Sequence, residues 1–275
     1  SGKTLTATNG VTVSSGAILD LNGFTMGLAE TATISGTGIA SIGAFINSSN
    51  NSISYPGAIT LAAASRVVNH GTGLLTLTGN ITGSFVLTIV TVGNVTQSSA
   101  SVWSGTGSLN KEGSGTLILA GQNSVTGIMV VSTGVLQLGA DGGATNTPLG
   151  TNAGGVTVSS GAVLDLSTYV LGGASTYETL NLSGTGINNG GALKSNASGA
   201  TNFGAMTVTA NSRVVNTGAG ALNFTGIVTI ANTRNLGVGG TGPVNISGVF
   251  GASATTATIT KWDAGTLTIS AASVT

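Results

Sequence analysis

Apolar residues alternate with Thr, Ser or Asn along almost the whole chain, in runs such as VTV at 11–13, ILDL at 18–21, VLTIVTV at 86–92, TLIL at 116–119 and MTVTA at 206–210. A period of two in β-branched residues predicts strands, and helical periodicity is nearly missing. SG, NG, GTG and GAG stand between the runs, where glycine supplies the positive φ of tight corners. The pattern therefore predicts an all-β chain of many short strands.

The pattern is also written twice. GVTVSSGAILDLNG at 10–23 returns as GVTVSSGAVLDLST at 155–168, and ETATISGTGI at 30–39 returns as ETLNLSGTGI at 178–187. GAITLAAASRVVNHGTGLLTLTG at 57–79 returns as GAMTVTANSRVVNTGAGALNFTG at 204–226, and LNKEGSGTLIL at 109–119 returns more faintly as ITKWDAGTLTI at 259–269. The four offsets, 145, 148, 147 and 150, drift only slightly, which indicates loops that changed length between fixed strands. Repetition in one register distinguishes a wound sheet from a sandwich. A membrane barrel would need strands of about 9 to 11 residues and aromatic girdles, and this chain has neither. We expect one continuous right-handed parallel β-helix, a β-solenoid over 1–275, in two sequence repeats, approximately 1–145 and 146–275. At roughly 20 to 25 residues per coil it makes about 11 to 13 coils, a rod about 50 to 60 Å long.

Composition narrows the function. Hydrophobic residues make up 40% of the chain and charged ones 5%, with 4% aromatic, which suits thin layered packing with few fully solvated faces. A mean hydropathy of +0.43 and zero net charge argue against disorder. Seven basic residues balance seven acidic ones, so no footprint for nucleic acid or an anionic membrane exists. Without cysteine there are neither disulfides nor thiolate metal sites. No apolar run reaches the roughly 18 to 20 residues of a membrane-spanning helix.

GSLNKEGSGTLILAGQNSVTGIMVVSTGVLQLG at 107–139 resembles the autotransporter-associated β-strand repeat, with Gly107, Leu109, Lys111, Gly113, Gly115, Thr116, Leu117, Leu119, Gly121, Asn123 and Gly127 on its pattern. Val131, Gly134, Leu136, Leu138 and Gly139 continue it, and the VTVSSGAxLDL and LSGTG phrases are similar to the spacer coils that accompany it. The second copy keeps Lys261, Gly265, Thr266, Leu267 and Ile269 but lacks the Asn phrase. The resemblance implies a right-handed parallel β-helix exported to the bacterial surface as passenger, adhesin or structural array, with no reaction attached.

Candidate chemistry is sparse. Asp20 and Asp165, and likewise Glu30 and Glu178, occupy equivalent places in the two copies, so these acids read as repeat features rather than an assembled catalytic pair. His70 stands where the second copy has Thr217. GADGGATN at 139–146 has the composition of a calcium turn without its repeat. Thr pairs such as Thr76 and Thr78 are too irregularly spaced for a water-ordering ladder. The eight Asn-x-Ser/Thr sequons hardly exceed what composition supplies. Arg66 and Arg213 fit coil-edge roles. Trp103 and Trp262 read as packing residues, but an exposed Trp would restore a carbohydrate platform.

These readings lead to a non-enzymatic structural protein of the bacterial exterior, without cofactors. The sequence phase at Thr275 leads back to that at Ser1, so the rod is expected to stack head to tail on itself or to be a window of a longer array. Thr4, Leu5, Thr6, Leu267, Ile269 and Val274 are the expected contact residues. The alternative is an adhesin whose loops bind glycans or neighbouring cells.

Overall fold

The computed structural model describes residues 10–172, 178–251 and 256–270. Two single-turn 3-10 segments, Ile39–Ser41 and Ile187–Asn189, are the helical elements there, and everything else regular is strand. Every ladder between named strands is parallel. The chain winds as a three-sided β-solenoid of about 11 turns.

Each turn lays one strand on each of three faces. Face I begins with Val11–Val13 and Ala32–Gly36 and ends with Val244–Ile246 and Leu267–Ile269. Face II runs from Leu19–Asp20 and Phe45–Asn47 through Leu109–Glu112 to Val228–Ile230, whose next level is a bridge from Val228 to Phe250. Face III runs from Ile53–Tyr55 to Thr258–Lys261. The long strand Ile59–Asn69 turns a corner, pairing by Ile59 with Ile81 on face I and by Val67 with Ile89 on face II. Coils differ in length, from the short one between Leu117 and its ladder partner Leu136 to the long one between Leu164 and Leu193. This range is wider than the roughly 20 to 25 residues per coil expected, because outward loops absorb the surplus while the strands keep register.

Alternation in the strands becomes columns in the solenoid. On face II, Val67, Ile89, Lys111, Val131, Val158, Leu182, Val208 and Ile230 stack inward in successive coils. All but Ile230 are at most 1% exposed, and burial of each aliphatic contributes roughly 1.5 to 3 kcal/mol. Phe203 and Phe224 continue such a column on face I as a stacked pair, their ring centroids 5.9 Å apart at 19°. Outward positions carry polar ladders, among them Asn202, Asn223 and Asn245, whose side-chain amides hydrogen-bond from coil to coil at 2.8 Å.

The two sequence copies do not lie above one another. Val11–Val13 sits on face I, but its counterpart Val156–Val158 pairs with Met129–Val131 on face II. Leu19–Asp20 is on face II and its counterpart Val163–Asp165 on face III. Ile53–Tyr55 is on face III and its counterpart Thr201–Phe203 on face I. One repeat thus advances the rod by about six and one third coils, and every feature of the second copy faces a third of a turn away from its equivalent. At about 4.8 Å per coil the axial advance is about 30 Å.

The 3-10 turns at Ile39 and Ile187 make this rotation measurable. Spin labels placed there in the cysteine-free chain are expected farther apart than labels at Thr88 and Thr229, which share one face six ladder steps apart. At the usual rise per coil the control pair is expected about 29 Å apart, allowing for label length, with the turn pair several ångströms beyond it. Equal distances would place both turns on one edge.

Candidate functional site

Two polar residues of the 107–139 phrase, Lys111 and Asn123, act inside the rod. Lys111 is 1% exposed, and its ammonium donates to the carbonyls of Glu112 at 3.0 Å, Gly113 at 2.8 Å and Thr133, one coil further on, at 3.0 Å. Burial lowers its pKa to about 8, against a smaller upward pull from the Glu112 carboxylate. Asn123 and Gln97 exchange paired amide bonds of 2.6 and 3.0 Å, and Asn123 also accepts from Trp103 N and donates to Pro148 O. Asn69 and Asn216 each tie their own turn to the next coil, through Gly73 and Asn94, and through Gly220 and Pro243. A buried polar group is tolerated where its hydrogen bonds are completed, and these side chains complete the open backbone of the corners. The signal for them was strand parity: in LNKE, Lys111 falls on the inward phase with Leu109.

The acids are dispersed, and among the described residues no group of three or more His, Asp or Glu side chains could hold a metal ion. Asp141 in the glycine-rich 139–146 segment accepts from Val170 N at 2.9 Å. His70 is exposed, with Nε2 3.0 Å from Ile42 O. The threonines form one outward column on face I, Thr12, Thr33, Thr60 and Thr82. Trp103 is buried at 2% exposure, whereas Trp262 is 42% exposed, so the packing role fits the first and not the second. Leu267 is half-buried and Ile269 is 47% exposed on the last described strand of face I. Thr4, Leu5, Thr6 and Val274 lie outside the described residues.

Face III of the second copy gathers the exposed chemistry. Asp165, Lys194, Val215 and Gly239 occupy one outward row, and Lys261 pairs with Val238, so Trp262 follows one level beyond Gly239. Asp165 and Lys194 approach to 3.7 Å and, with Ser167, Asn196 and Thr217, line a groove of about 250 Å3. At the other end the Arg213 guanidinium carbon lies 4.9 Å from the centroid of the Trp262 ring. Arg213 is held by Asp263 at 3.5 Å and by Asn189 O at 2.9 Å, and Asp263 also accepts from Gly240 N at 2.8 Å. A Cβ on Gly237 would overlap the Trp262 ring, and one on Gly239 would lie 2.9 Å from both Arg213 and Asp263. The two glycines make the recess in which the aromatic and its ion pair sit.

A parallel solenoid with internal lysine and asparagine caps defines the class of the chain. Residues 109–138 match the passenger-associated-transport-repeat family, and the match covers the strands and corners organised by Lys111 and Asn123. A stretch of 181 residues is 33% identical to the adhesin BmaC autotransporter of Brucella suis biovar 1 (strain 1330), covering 62% of this chain and 5% of that protein. The chain therefore spans about one twentieth of that relative's length. No solved structure matches it. Over these stretches the chain is similar to the passenger repeats of bacterial autotransporters.

Glu178 is the least comfortable group in the rod. It is 1% exposed, and neither carboxylate oxygen has a partner at hydrogen-bond geometry. Burial raises its pKa to about 8, the Thr147 hydroxyl offsetting part of the rise. A carboxyl with a raised folded pKa contributes stability below its unfolded value, near 4.5, and that stability is lost as pH climbs through about 8. Thermal melts are therefore expected to fall between pH 5 and 9, and Glu178→Gln to flatten the fall with a gain of a few kcal/mol at pH 9. Parallel wild-type and variant profiles would contradict this.

Proposed function

We propose that the chain is a stiff, non-enzymatic segment of a bacterial surface passenger, a rod that holds or carries adhesive surface away from the cell. The observation that carries this reading is the passenger repeat lying on solenoid coils whose signature polar groups are spent on internal capping. The scattered acids favour display over catalysis. The surface location and adhesive role draw on the relative named an adhesin autotransporter.

The finer part of the proposal is that the rod is extended by coil-on-coil stacking, with a second copy placed head to tail. Coil-on-coil contact in this fold is made by parallel ladders and stacked inward columns, such as that of Phe203, Phe224, Ile246 and Ile269. A joint of the same kind between copies would be a heterologous contact that propagates.

Electron microscopy across a concentration series tests the joint. Rods are expected to lengthen, and Ile269→Asp to raise the concentration for half-assembly at least tenfold, about 1.4 kcal/mol. Rods of constant length at every concentration would end the stacking proposal. Antibody labelling of intact producing cells tests the location, with surface signal expected before permeabilisation.

A further inference from the structure

We propose that face III of the second repeat is a binding strip for an uncharged linear glycan lying along the rod axis. The inference rests on the adhesin side of the function proposed above and gives it a ligand class and a location.

The argument comes from comparing the two copies position by position. In the first copy the equivalent outward row, on face II, reads Asp20, Ile46, Val68, Val90 and Glu112. In the second it reads Asp165, Lys194, Val215, Gly239 and Trp262. In the neighbouring row Arg66 and Thr88 become Arg213 and Gly237. The first row is closed: Ile46 and Val68 are 5% and 1% exposed, and Arg66 simply bridges to Glu112 at 3.1 Å. The second is open, because three changes act together. Lys194 replaces an apolar side chain and pairs with Asp165 to wall the polar groove. Gly237 and Gly239 remove Thr88 and Val90, and Trp262 with its Arg213 and Asp263 partners occupies the recess so made. A large aromatic admitted by two glycines is a coupled exchange, and the packing of the rod does not need it, since the first copy folds the same coils without it.

The chemistry of the strip fits a sugar chain. An exposed indole offers an apolar face to the C–H side of a pyranose, and it keeps that area at low conformational cost. Arg213 and Asp263 are already fixed by Asn189 O and Gly240 N, so hydroxyl-binding groups beside the ring are preorganised. Asp165 is paired with Lys194 and Asp263 with Arg213, and Lys261 beside Trp262 turns its ammonium to backbone carbonyls, so the outward row carries no unpaired charge to select an anionic polymer. From Asp165 to Trp262 is four ladder steps, about 19 Å, the length of a short oligosaccharide rather than a single ring.

Calorimetry and saturation-transfer NMR on the whole chain, with cellohexaose, chitohexaose and a hyaluronan hexasaccharide, test the assignment. One of the two uncharged chains is expected to bind with micromolar to millimolar Kd, with saturation transferred to the Trp262 ring. Trp262→Ala is expected to weaken it at least tenfold, Trp262→Phe less, and Gly237→Thr, which restores the first-copy residue, about as much as Trp262→Ala. Unchanged melting and far-ultraviolet spectra would keep these losses from being read as unfolding. Preference for hyaluronan, binding indifferent to Trp262, or no binding by any hexasaccharide would overturn the proposal. Adhesion of protein-coated beads to cells tests the adhesin reading separately, and adhesion that survives Trp262→Ala would leave that reading standing while removing this strip.

Discussion

The parallel ladder governs this molecule. Strands take their hydrogen bonds from neighbouring coils, so a residue's neighbours are the residues at the equivalent position in the adjacent turns. Inward positions must therefore suit one another as a column. Val, Ile and Leu do so on all three faces, and Phe203 over Phe224 does so where space allows a ring, while Tyr55 on face III meets Phe45 on face II edge-on across the interior. The same constraint explains why the short coil from Leu117 to Leu136 coexists with the long one from Leu164 to Leu193: loops lie outside the ladder and their length costs little register.

Corners are where the ladder is weakest, because backbone carbonyls turn inward there without a strand to meet them. The chain answers with a few long polar side chains placed on inward phases. Lys111 serves carbonyls from two coils, and Asn47 donates to Asn69 as well as to Ser49 O. Each such group binds adjacent coils more specifically than an aliphatic contact can, since a slip of one residue would strand a buried charge or amide. Glu178 is the contrasting case, buried on the same principle but without the donors that would complete it.

Strand runs, the scarcity of helix and the wound architecture were legible in the sequence because alternation and repetition are properties of the order of residues. The exposed position of His70 was legible too, from Thr217 at the equivalent place. The orientation of the copies was not. The offset between them says nothing about how many faces it spans, because the loops differ in length, and only the pairing of Val156–Val158 with Met129–Val131 reveals the third of a turn. The exposure of Trp262 was hidden for a related reason. It depends on Gly237 and Gly239, which are neighbours across the ladder and lie a full coil away along the chain.

The rotation and the divergence of the copies belong together. If equivalent positions lay on one edge, a repeated binding feature would form a line along a single side of the rod. With one repeat per six and one third coils, a feature kept in every repeat would point in three directions in succession, returning to its first edge after about 19 coils, about 90 Å. The first copy closes its row with Ile46, Val68 and Val90, whereas the second opens the equivalent row with Lys194, Gly239 and Trp262. Along such a rod, the side on which a partner binds is set by the residue pattern within a repeat, and its azimuth is set by the length of the repeat. The two can change independently, because the ladder constrains inward columns alone and leaves outward rows free to diverge.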